Sequence, residues 1–186
     1  SVTSIGEMAF YFCKLLNSVS IGNGVTSIGE CAFGNCSIDT VTIGYSVKSI
    51  DYSVFIGNPL TTIYWNAIQC TDCTTSPFQS TKTFVFGDSV EYIPAYLCDQ
   101  AKFETVTIPA SVTSIGECAF TNNSYLCQIN CEAETPPVLA GQVFGKRTTS
   151  IMLYVPCGTV SKYKNTEGWK KFNSIFEPQA IYSIEV

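Results

Sequence analysis

The sequence predicts an α/β-type solenoid: a repeat superhelix with a continuous parallel β-sheet on one face and short strands, turns and helical pieces on the other. Three observations predict it. The phrase VTSIG occurs at residues 2–6, 25–29 and 112–116, and each copy runs on into Glu, one variable residue, Ala and Phe, which is the mark of an internal repeat. The repeat period is 22–24 residues. Each period also carries a stretch of period-two alternation rich in β-branched and aromatic residues, such as Thr40, Val41, Thr42 and Ile43, which is the signature of a strand.

The units follow one another in order. Val2 and Val25 open the first two, Val47 opens a third (VKSIDYSVF) and Val90 a diverged one (VEYIPAYLC), so that with Val112 the starts lie 23, 22, 43 and 22 residues apart. The gap of 43 must hold a unit of its own. Starting it at Ile68 sets Phe84 and Phe86 where the neighbours have Val41 and Ile43, Ile63 and Trp65, Val106 and Ile108. A looser unit begins near Pro136, with Val143 and Phe144 in the Ala-Phe place and Ile151, Leu153 and Val155 alternating after them. Residues 1–157 therefore read as about seven repeats starting near 2, 25, 47, 68, 90, 112 and 136, and residues 158–186 as a C-terminal cap. Gly22, Gly24, Gly44 and Pro109 supply the turns that bound the strands. One such unit is too small to offset the entropy of ordering its own chain, so neighbours must stack and unfold together.

A period of 22–24 residues falls within the leucine-rich repeat range. The pattern of a strand, a Pro or Gly turn, V-x-x-I-G-x-x-A-F and then Cys or Asn, seen at 25–36 and 112–122, resembles the BspA-like leucine-rich repeats of bacterial and protist surface proteins. The tail strengthens the resemblance: Thr135, Pro136 and Pro137, residues 153–156, and Tyr163 through Trp169 to Phe172 look like the terminal cap of members from gut anaerobes. The resemblance implies a right-handed leucine-rich repeat superhelix, an extracellular or cell-surface location, and a role in adhesion, host-protein binding or surface display.

Composition narrows the function classes. With 46% hydrophobic and 13% charged residues in 186, the chain suits one elongated, well-packed domain. No apolar stretch reaches the length of a transmembrane helix, and no secretion signal is present. The chain opens directly on a repeat, which reads as a mature or trimmed piece of a longer product. A net charge of −5 without a basic cluster argues against nucleic acid, whose backbone needs several neutralising cations. Lys162, Lys164, Lys170 and Lys171 are the one local surplus and read as a solvated face of the cap.

The ten cysteines sort by repeat position. Cys31 and Cys118 each sit six residues after an opening Val, Cys13 and Cys36 eleven after theirs, and Cys98 stands where other units have Phe10, Phe33, Phe55 and Phe120. Recurrence of this kind points to stacking, with Cys as a small buried hydrophobe. Cys70 and Cys73 form a lone C-x-x-C, open to a disulfide or a plain loop reading. A zinc site is disfavoured, because a closed one takes four ligands and the chain has neither His nor a second C-x-x-C. Pairing among Cys127, Cys131 and Cys157 is not readable.

The absence of His removes the commonest general base near neutral pH. Glu7, Glu30 and Glu117 share one repeat position and read as a solvent-facing feature of the convex side. GQVFGK at 141–146 has three residues between its glycines, and Arg147 follows where Ser or Thr is required, so it is no phosphate loop. No catalytic residue, metal ligand or cofactor is assigned.

The strand faces carry the functional reading. Side chains alternate across a strand, so with the apolar set inward the outward set is Ser18, Ser20, Thr40, Thr42, Thr62, Tyr64, Thr83, Val85, Thr105, Thr107, Gln128, Asn130, Met152 and Tyr154. This wall is polar, almost uncharged and rich in hydroxyls. It fits an extracellular protein or glycan partner, with Thr40, Thr42, Thr62, Tyr64, Thr83, Thr105, Thr107, Gln128, Asn130 and Tyr154 as the contact residues and Tyr64 and Tyr154 as aromatic anchors. The reading is a non-enzymatic recognition module. A passive spacer displaying another domain and a cysteine-dependent enzyme are the rivals, the latter requiring a thiol of lowered pKa. Val2, Ile5, Phe10 and Phe12 form an apolar end from which end-to-end self-association is expected.

Overall fold

The computed structural model describes residues 2–71, 73 and 77–178. The chain runs β1 (Ser4–Ile5), β2 (Ser18–Ser20), β3 (Ser27–Ile28), β4 (Thr40–Ile43), β5 (Thr62–Trp65), β6 (Thr83–Phe86), β7 (Tyr92–Ile93), β8 (Thr105–Ile108), β9 (Ser114–Ile115), β10 (Gln128–Cys131), β11 (Val138–Leu139), β12 (Met152–Tyr154), the helix α1 (Val160–Asn165) and β13 (Ser174–Phe176). Every strand pair is parallel. The fold is a β-solenoid of about eight turns.

One wall, the front, carries β2-β4-β5-β6 and β8-β10-β12-β13 in spatial order. The opposite wall carries the two-residue strands β1-β3 and β7-β9-β11. Register follows the repeat. Val41 lies beside Ile63, Ile63 beside Phe84, and Trp65 beside Phe86. The second wall is built mostly from turns that bond to one another: Met8, Phe10 and Phe12 donate N–H to the carbonyls of Glu30, Ala32 and Gly34, and Tyr96, Cys98 and Gln100 donate to Glu117, Ala119 and Thr121. These turns leave little room for helix, and α1, of six residues, is the one α-helix among the described residues.

The core lies between the walls. Val41, Ile43, Ile63 and Trp65 are fully buried from the front, as alternation requires. From the other side the Phe at the Ala-Phe place of successive units packs on the next: Phe10 stacks on Phe33 at 5.1 Å, Phe33 on Phe55 at 5.5 Å and Phe120 on Phe144 at 5.6 Å, and Phe55 lies tilted against Phe78 at 6.0 Å. Cys98 replaces one member of this column and is completely buried. Its missing volume is taken up by Phe103 and Phe86, each presenting an edge or face to Phe120 at 6.3 Å.

A second column is polar. Asn58 Nδ2 donates to the carbonyls of Phe33 and Phe55 at 2.7 and 3.0 Å while its Oδ1 accepts from Ile38 N–H at 3.0 Å. Asn123 Nδ2 likewise donates to Cys98 and Thr121 carbonyls, at 2.7 and 3.0 Å. Cys36 holds the same place and points its thiol at the carbonyls of Phe10 and Gly34. The Cys-or-Asn position of the repeat is thus a donor position that ties each turn to the one before it.

The front sheet has one interruption, between β6 and β8. Two sequence features explain it. The N–H of Gly87 closes the β5–β6 ladder on the carbonyl of Trp65, and that of Glu132 closes β8–β10 on Ile108. The equivalent residue that would close on Phe86 is Pro109, which has no N–H. At the other end Lys102 N–H bonds the Thr81 carbonyl at 2.8 Å. From there β8 begins three residues on and β6 two residues on, so one extra residue displaces the strands from register.

Beyond β12, the segment that follows Gly158 both closes the core and adds a strand. Tyr163 of α1 is buried, its hydroxyl donating to the Ala133 carbonyl at 2.6 Å. Trp169 donates from Nε1 to Pro137 at 2.7 Å and packs 5.6 Å from Phe144. β13 then pairs with β12.

Candidate binding face

Strand alternation and the parallel register set the outward residues of the front wall into two columns. The first runs Ser18, Thr40, Thr62, Thr83 in one half and Thr105, Gln128, Met152, Ser174 in the other. The second runs Ser20, Thr42, Tyr64, Val85, then Thr107, Asn130, Tyr154, Phe176. Neighbouring rungs stand about 4.8 Å apart. All ten residues singled out from the sequence lie on this face. Thr83, Thr105, Thr107 and Tyr64 are exposed, and Thr40, Thr42, Thr62, Gln128, Asn130 and Tyr154 are half-buried between their neighbours.

The two tyrosines are not equivalent. Tyr64 stands 43% exposed beside Val85 at 42%, an isolated apolar pair among hydroxyls. Tyr154 lies against Phe176 at 5.5 Å, with Met152 beside it. Ser174 and Phe176 were not foreseen as part of this face, although Ser174-Ile175-Phe176 alternates as the other strands do. Gln128 Nε2 donates to Asn130 Oδ1 at 2.8 Å, so this rung is held rigid and fewer of its groups are available to a partner.

None of the fourteen outward strand side chains named from the sequence is charged. Charges lie at the strand ends. Where the sheet is interrupted, a cleft of about 830 Å³ opens, lined by Thr83, Val85, Thr105 and Thr107, by Lys82, Lys102 and Glu104 at the start of the strands, and by Asp88 and Glu132 past their ends. Phe84, Phe86, Pro109 and Tyr125 complete it. Sequence reading did not single out these charged residues; their signal is the pairing of a degenerate unit with a proline where its neighbour has Gly87.

The cysteines are more varied than the stacking reading anticipates. Cys36 and Cys98 are buried, but Cys31 and Cys118 are half-buried and Cys13 is exposed. Cys31 and Cys118 adopt φ of 50° and 55°, a turn conformation that aims the side chain partly outward. Burial raises the Cys98 thiol well above its ordinary value and raises that of Cys131. Cys70 and Cys73 are buried with their sulfurs 4.0 Å apart. Glu7, Glu30 and Glu117 are exposed. Among the described residues no group of three or more acidic, Cys or His side chains is arranged to hold a metal, and no helix is long and apolar enough to cross a membrane. At the opposite end from α1, Val2, Phe10, Phe12 and Leu15 are 65%, 43%, 62% and 99% exposed, while Ile5 is half-buried.

Comparison with known proteins adds the following. The family model described as BspA type leucine rich repeat region matches residues 2–133 in 6 copies. Among solved structures, the chain is similar to a leucine-rich repeat protein from Eubacterium ventriosum, with 16% identity and a TM-score of 0.37 over 83% of this chain and 63% of that one. It is also similar to one from Bacteroides ovatus, with 15% identity and a TM-score of 0.35 over 96% of this chain and 65% of that one. The chain thus spans just under two thirds of the length of each. No curated protein matches it.

Proposed function

The chain belongs to the BspA-type leucine-rich repeat family, which implies a scaffold for protein–protein interaction, and on that premise we propose that it is a non-enzymatic, surface-exposed or secreted recognition module. Its front face contacts an extracellular protein or glycan. The observation that supports this most is the pair of columns of uncharged hydroxyl, amide and aromatic side chains, from Thr40, Thr42, Thr62 and Tyr64 on one half of the front wall to Gln128, Asn130 and Tyr154 on the other. A rigid backbone presents them at fixed spacing, so many weak hydrogen bonds form with little loss of side-chain freedom on binding. A screen of the purified chain against matrix proteins, plasma proteins and a glycan array, beside a Thr40→Glu, Thr62→Glu, Thr105→Glu variant, tests the reading. Binding that the variant loses supports it; silence from both chains favours a passive spacer.

The exposed apolar end at Val2, Phe10 and Phe12 further favours end-to-end association of two copies. Sedimentation should then show a weight that rises with concentration and a return to monomer in Phe12→Lys. A monomer at millimolar concentration would remove this part of the proposal.

A further inference from the structure

The degenerate unit has lost its opening phrase, and the structure shows what stands in its place. Phe78 packs against Phe55 at 6.0 Å and so belongs to the aromatic column of the second wall. In the other units the opening Val stands eight residues before the column residue and the Ile five before it: Val25 and Ile28 before Phe33, Val47 and Ile50 before Phe55, Val112 and Ile115 before Phe120. The same count from Phe78 falls on Cys70 and Cys73. The C-x-x-C is therefore the V-x-x-I of this unit, with both inward side chains changed to Cys. Each is 1% exposed and belongs to the same core as Val47, Ile50, Val90 and Ile93. Their sulfurs meet at 4.0 Å.

A covalent tie at this place would brace the least supported part of the solenoid. The second-wall sheets, β1-β3 and β7-β9-β11, stop on either side of it, and the front ladder is interrupted just after the strand of the same unit, between β6 and β8. Sulfurs in contact need only side-chain rotation and a small backbone shift to reach the bonded distance of about 2.0 Å. We propose that Cys70 and Cys73 are a modification site: they form a disulfide by exchange with a low-molecular-weight disulfide such as oxidised glutathione, before the neighbouring turns stack, and the finished core then seals the bond from reductant. In the exchange one thiolate attacks the small disulfide and releases one small thiol, and the second thiolate displaces the other from the mixed disulfide. The pair gives up two electrons and two protons, which leave in the two small thiols. The order of events follows from burial, since thiols 1% exposed offer no surface to an incoming disulfide. Once closed, the bond narrows the freedom of the unfolded chain and so favours the folded one.

The test is peptide mapping of the whole chain after refolding in a buffer of reduced and oxidised glutathione. Trypsin cuts after Lys48 and Lys82, and the peptide between them, 49–82, holds Cys70, Cys73 and no other cysteine. With the refolded chain alkylated while unfolded, this peptide should carry no alkyl group and be lighter than its reduced form by the mass of two hydrogens. Reductant added to the native chain should leave it so, and the same reductant in urea should open it. A chain refolded with reductant should melt about 4–8 °C below the oxidised one. Cys70→Val with Cys73→Ile, which restores the residues of the other units, should fold and show no such difference. Recovery of the peptide with both cysteines alkylated, or with either joined to glutathione or to another cysteine, overturns the proposal. So does a bond that opens as fast in the native chain as in urea, or a melting difference that persists in the Val/Ile variant and therefore belongs to other cysteines.

Discussion

Single residues hold the turns together through a few main-chain carbonyls that would otherwise be stranded inside. Asn58 satisfies two carbonyls and one N–H from three different stretches of chain. Asn58→Ala removes all three bonds at once and is expected to cost about 2–3 kcal/mol in urea unfolding, since each orphaned buried group loses its full partner. The thiol of Cys98 acts through pH. Burial raises its pKa above the ordinary value near 9.0, so folded and unfolded chains bind the proton equally well at lower pH, and above it the unfolded chain releases the proton first. Stability is therefore full below about pH 9 and falls as pH rises beyond. Calorimetry across pH 7 to 11 should show a falling melting temperature whose slope is shallower in Cys98→Ala. Part of this was legible because positions recur: the repeat marked Cys13 and Cys36 as equivalent, and Cys98 as the stand-in for Phe, whereas Asn58 and Asn123 were not singled out. What they do was not legible, because a donor aimed at a carbonyl and a buried apolar thiol leave the same trace in one sequence.

Among the elements, the front strands were the most readable, since alternation about Val41, Ile63, Phe84 and Val106 fixes both their existence and their inward face. Even the strand of the degenerate unit, whose opening is lost, keeps Phe84 and Phe86 in place. The turns of the other wall were less readable. Their backbone turns left-handed at Met8, Cys31, Tyr96 and Cys118, residues with no special preference for that conformation, and the bonds that hold them run between turns, as Met8 N–H to Glu30, as well as within them, as Tyr11 N–H to Met8. The interruption after β6 was readable only in part: Pro109 is visible, but its effect depends on which carbonyl it would have met. Pro109→Ala returns an N–H to the place facing the Phe86 carbonyl. Added hydrogen bonding and lost chain stiffness should offset to within about 1 kcal/mol. Hydrogen exchange by NMR should find the new amide at 109 protected.

At the scale of the whole molecule, the chain has no core that any one turn owns, so damage at an end spreads by loss of stacking. Trp169 shows this best: fully buried, hydrogen-bonded to Pro137 and packed on Phe144, Tyr163 and Phe172. Trp169→Ala should cost about 3–5 kcal/mol, and the last turns should become labile to protease while β4 and β5 keep their protection, a pattern that limited proteolysis with mass spectrometry reads directly. The candidate site follows the same logic of scale. Which residues face outward was legible from alternation, but the cleft arises from a pairing that fails between two particular turns, and no single unit contains it. That failure also has a mechanical side. Pulled along its axis, a solenoid is loaded across its inter-strand bonds, and here the one junction without a front ladder is bridged, among the described residues, by the Lys102–Thr81 and Ser80–Gln100 main-chain bonds and by the aromatic contacts behind them. The molecule has a built-in fracture plane, at which two half-solenoids would part before either one unravels.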